Sequence, residues 1–113
     1  MEIQIKPILD KLIEQTKGSL CHWEMTKNET YRLLLRNGSI IVQKGEKSFL
    51  PNPLLPDVLY TIKFFDSESC FYELEITDES SHEYWLVDSL YLSIKEVEEK
   101  TINDKLSSLL NAL

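Results

Sequence analysis

Residues 4–16 place Ile5, Ile8, Leu9, Leu12 and Ile13 at the spacing of one helical face, with Lys6, Asp10, Lys11 and Glu14 on the other, so an amphipathic helix is predicted. Pro7 suits the first turn, where its missing N–H has no partner in any case, and Gly18 is placed to end the helix in a left-handed conformation.

Between residues 20 and 76 the period changes to two. Cys21, Trp23 and Met25 alternate with His22 and Glu24, and Tyr31, Leu33 and Leu35 alternate with Arg32, Leu34 and Arg36. Lys27, Asn28 and Glu29 supply the first turn, and Asn37-Gly38 tolerates the positive φ of a tight hairpin, after which Ile40 and Val42 mark a third strand. Residues 45–57 carry three of the four prolines and form a long loop, whose Phe49, Leu50, Leu54 and Leu55 are expected to pack on the body rather than to mark a domain boundary. Val58, Tyr60, Ile62 and Phe64 share one face of a fourth strand; Cys70, Tyr72, Leu74 and Ile76 share one face of a fifth. Connections this short join antiparallel neighbours.

Ser80 with Glu83 matches a capping box, and Val87, Leu90, Tyr91, Ile94 and Val97 form the inward stripe of a helix over residues 81–100. Thr101 to Asp104 resembles a second helix start, leading to a last helix with Leu106, Leu109, Leu110 and Leu113. The expected architecture is one α+β domain over residues 1–113: an N-terminal helix, an antiparallel meander sheet of about five strands, and two C-terminal helices packed on one sheet face. Trp23, Leu33, Val42, Tyr60, Ile62, Leu74, Leu90 and Ile94 are expected to share one core.

Composition narrows the function. With 42% hydrophobic and 27% charged residues the chain has the balance of a globular protein that folds without metal or disulfides. The net charge of −7 has the wrong sign for a phosphate backbone, so no nucleic-acid partner is expected; solubility accounts for the acidity. The first residues lack a signal-peptide pattern and no apolar run reaches bilayer length, which reads as a cytoplasmic protein without a membrane partner. Cys21 and Cys70 form no Cys-x-x-Cys pair and are expected to be reduced and inward-facing.

No constellation with catalytic or cofactor spacing is present, so no catalytic residue, cofactor or metal site is assigned. His22 and His82 are the only histidines, and neither has ligand spacing with Asp78, Glu79 or Glu83. The acidic stretch 66–83 lacks the glycine and order of a calcium loop, and Glu73 and Glu75 are explained by cross-strand pairing with Lys63. No nucleophile elbow, phosphate loop or dinucleotide fingerprint occurs. What stands out is the outer sheet face, where Leu34, Ile41, Leu59, Phe65 and Phe71 mix with Arg32, Arg36, Gln43, Thr61, Lys63, Glu73 and Glu75. Such a face is either an interaction surface, with Arg32, Leu34, Arg36, Ile41, Phe65 and Phe71 as its partner-binding residues, or a surface that the 45–57 loop covers.

Thr16-Lys17-Gly18, the Trp23 strand, Tyr31-Arg32, Asn37-Gly38-Ser39-Ile40, Tyr60-Thr61-Ile62 and the closing Leu106 to Leu113 together resemble a group of small bacterial proteins; the likeness implies a bacterial cytoplasmic α+β domain and transfers no activity. In size and charge the plan is also broadly similar to secretion chaperones and toxin-immunity proteins. The function expected from the sequence is a noncatalytic module that docks a protein partner or a second copy of itself, with a small-molecule-binding or enzymatic domain as the alternative.

Overall fold

The computed structural model describes residues 4–45 and 58–113. Helix α1 (Ile5–Lys17) leads into a sheet of β1 (Trp23–Lys27), β2 (Thr30–Leu35), β3 (Gly38–Lys44), β4 (Tyr60–Phe65) and β5 (Cys70–Ile76), and α2 (His82–Ala112) follows. The strands pair in sequence order, all antiparallel. This is the expected α+β meander, with two helices rather than three. The loop expected over 45–57 lies, but for Gly45, outside the described residues.

One core cluster joins both helices to the sheet. Leu33, Val42, Tyr60, Ile62, Leu90 and Ile94 are buried as expected, Trp23 and Leu74 pack against them half-buried, and Leu9, Leu12, Cys21, Tyr31, Ile40, Phe64, Ile76, Val87 and Tyr91 are the other buried members of the cluster. Thr16, also buried, accepts a hydrogen bond from the Trp23 indole N–H at 3.0 Å, which ties the end of α1 to the first strand.

Four local expectations are corrected. Gly18 has φ −80°, and the left-handed residue after α1 is Ser19, at φ 60°. At Gly38 it is close approach that excludes a side chain, because a Cβ there would run into the Phe65 carbonyl oxygen. The N-cap of α2 is Ser81, whose hydroxyl accepts from the Tyr84 N–H at 3.2 Å, while Ser80 belongs to the preceding turn and donates to Asp78. Thr101 does not start a new helix. Its hydroxyl donates to the Val97 carbonyl one turn back at 2.9 Å, inside an unbroken helix with no Gly or Pro to stop it.

That continuity sets the outline of the molecule. Thirty-one residues at about 1.5 Å each make α2 about 46 Å long, longer than the sheet it crosses. The radius of gyration is 16.1 Å, where a compact chain of this length has about 13 Å.

Candidate functional site

The course of α2 can be followed from the strands it touches. Near its start Asp88 accepts a hydrogen bond from the Tyr60 hydroxyl of β4 at 2.6 Å, and the Tyr84 and Tyr91 rings lie 5.8 and 5.6 Å from that of Tyr60. Burial, reinforced by the Asp88 carboxylate, raises the Tyr60 pKa far above its ordinary value. One turn on, Tyr91 meets Tyr31 of β2 edge to face, and Lys95 reaches Glu29 at 3.6 Å while lying over both rings. Further still, Val97, Glu98, Thr101, Ile102 and Lys105 line a cavity of about 280 Å³ with Cys21, His22 and Trp23 at the β1 edge. The helix therefore runs from the β4–β5 side across β2 to β1, and then leaves the sheet.

Residues 101–113 are all exposed. Among them are Ile102, Leu106, Leu109, Leu110 and Leu113, and Leu109 is 66% exposed. At about 100° per residue, Ile102, Leu106, Leu109 and Leu113 fall within about 60° of one another and continue the line of Tyr91, Lys95 and Glu98 that faces the sheet. The apolar stripe thus outlasts the strands, and beyond the β1-edge cavity that Ile102 still lines, no described residue buries it. Leu20 and Met25, before and on β1, are also exposed. The Tyr31 hydroxyl at the cavity is buried, and burial and then neighbouring Glu98 raise its pKa.

Of the six partner-binding residues expected from the sequence, Arg32, Leu34, Ile41 and Phe65 fall in adjacent rows of one sheet face, and Arg36, Phe65 and Phe71 line a groove of about 530 Å³ beside the β2–β3 turn. Cross-strand register places Glu24, Arg32, Ile41, Lys63 and Glu73 in one row over all five strands, and Leu34, Ser39, Phe65 and Cys70 in the next. Charges in the first row are paired within the sheet, Arg32 to Glu24 at 3.2 Å and Lys63 to Glu73 at 3.7 Å. Arg36 lies in the β2–β3 turn. Phe71 is the residue a bulge leaves over between the Phe64–Tyr72 and Phe65–Cys70 pairs. The bulge reverses the expected parity: Cys70 pairs with outward Phe65 and is exposed, whereas the Phe71 ring lies 6.4 Å from buried Phe64 and shares an apolar groove with Ile5 and Ile8 of α1. Of the two cysteines only Cys21 is inward-facing.

His22 and His82 sit at opposite ends of the α2 crossing, so they share no site. Among the described residues no group of three or more His, Cys, Asp or Glu is placed to hold a metal ion, and no helix is long and apolar enough to cross a membrane.

The overhanging stripe was visible in the sequence only as four leucines of an ordinary amphipathic helix; its spacing carries no sign of whether the body reaches it. No family model, curated protein or solved structure matches this chain. The likeness to small bacterial proteins therefore gives it no family.

Proposed function

We propose that this chain is a noncatalytic protein-docking module and that residues 101–113 of α2 are its docking element. One observation carries the reading: a well-formed helix end holds five large aliphatic side chains in water within one short segment, whereas the other exposed aliphatic residues, among them Ile8, Leu20, Leu34 and Leu92, lie dispersed along the rest of the chain. Contiguous apolar surface of this kind marks an interaction site. Binding another bacterial protein, as immunity proteins and chaperones do, is one form of such docking. The cavity beneath the helix is small for a ligand pocket, at about 280 Å³, and fits better as a socket at the root of the docking element.

The outer sheet face is the lesser surface. Arg32 and Lys63 on it are paired with Glu24 and Glu73, and of its apolar residues Ile41 and Phe65 are half-buried while Leu34 is exposed.

The test is the double substitution Leu106→Glu with Leu109→Glu, followed by light scattering, co-purification from the source cell and circular dichroism. The expected outcome is loss of every association with the far-ultraviolet spectrum unchanged. An unaltered mass together with an unaltered set of co-purifying proteins would reject the helix end as the docking element.

A further inference from the structure

Resting on that reading, we propose that the occupant of the overhang is a second copy of this chain, its α2 end packed antiparallel on the first across a two-fold axis between residues 107 and 108. Three observations lead there.

The first is spacing. Ile102, Leu106, Leu109 and Leu113 are separated by four, three and four residues, the alternation of a helix-pair seam. Laid antiparallel about that axis, the stripe matches itself, with Ile102 against Leu113 and Leu106 against Leu109, then the same pairs in reverse. Ser107 and Ser108 fall off the seam. A two-fold contact requires self-complementarity of this sort, because each residue must find its partner on an identical surface.

Charge is the second. The chain carries −7, but residues 101–113 hold one acid, Asp104, and one base, Lys105, so the strip itself is neutral. Two acidic copies can meet there without bringing like charges into the contact, and the strip offers a basic or acidic partner no complement.

The third is area. A strip of 12 residues is about 18 Å long and about 10 Å wide, short of the roughly 800 Å² per partner of a standard stable interface. The antiparallel register supplies more. It carries the Leu113 end of one copy back to Ile102 of the other, at the cavity lined by Trp23 and Val97. Each copy then gives one helix end and receives one, and the modest total implies a weak dimer whose mass falls on dilution.

The experiment uses the full chain with Cys70→Ser, which removes the exposed thiol. Leu106→Cys and Leu109→Cys chains are made separately, and each is oxidised alone and in an equal mixture. The expected result is a disulfide-linked pair in the mixture, at least five times its yield in either chain alone, together with a concentration-dependent dimer mass in the parent protein. Self-linked Leu106→Cys chains in preference to the mixed pair would overturn the proposal by showing a parallel contact. A parent that stays monomeric at every concentration would overturn it too, yet would leave the docking reading standing if Leu106→Glu with Leu109→Glu still strips the protein of its co-purifying partners.

Discussion

Leu90 and Leu109 are the same side chain on the same helix, one fully enclosed and the other 66% exposed. The first half of α2 lies over a sheet and beside α1, and every element it meets supplies a partner: Tyr60 for Asp88, Glu29 for Lys95, Leu9 and Leu12 in the same core as Val87 and Ile94. The second half is equally helical and lacks those neighbours. A helix this long is held by the packing of its buried half, since in isolation short helices are marginal. The exposed half is thus carried as a helical extension of the packed half, which would lower the entropic cost of the proposed docking.

The sharpest test of this contrast is a matched pair of truncations. Leu90→Ala is expected to destabilise the monomer by about 2–5 kcal/mol, as other buried large-to-small changes do, whereas Leu109→Ala should change it by less than about 0.5 kcal/mol. Urea denaturation at concentrations low enough to keep the chain monomeric checks both. Equal costs would mean that the helix end is covered.

A smaller effect separates the anchored half further. Tyr60→Phe removes the hydrogen bond to Asp88 and leaves a half-buried carboxylate without its donor, at an expected cost of about 1.5–3 kcal/mol. The same pair predicts a pH dependence. Because the Tyr60 pKa is raised in the folded protein, its contribution is complete below the ordinary value of 10.0 and is lost as pH rises beyond it. Ionisation followed by tyrosinate absorbance should therefore come at higher pH for Tyr60 than for an exposed tyrosine, and Tyr60→Phe should flatten the decline in stability above pH 10.

A small effect is also expected at the sheet end. Phe71→Ser, at a bulge and more than half exposed, should cost under about 1 kcal/mol and leave oligomeric mass unchanged, measured by the same denaturation and light scattering. A change in mass would shift the docking surface from the helix end to the groove at Ile5, Ile8 and Phe64.

Most of the elements were legible because their periodicity is local. Ile5 to Ile13 repeat at a helical period, and Tyr31 to Leu35 and Tyr60 to Phe64 alternate, so each segment declares its own type and its own buried side. The misreadings share one cause. Threonine serves as an N-cap or bonds back to the fourth carbonyl before it, and Thr101 takes the second role because Glu99 and Lys100 before it form helix readily. Strand parity is reliable until a residue is inserted, and the bulge at Phe71 exchanges the sides of Cys70 and Phe71.

Alternation and helical period in this sequence were enough to determine which segments are helix or strand, their antiparallel order and nearly all of the core, because each follows from which side of a segment is apolar. Only the tertiary structure decided that α2 is longer than the sheet beneath it, that its last apolar stripe passes the β1 edge uncovered, and that Phe71 turns toward α1. Exposure depends on where other parts of the chain end, and a pattern of leucines spaced by three and four is the same whether its cover comes from this molecule or from another.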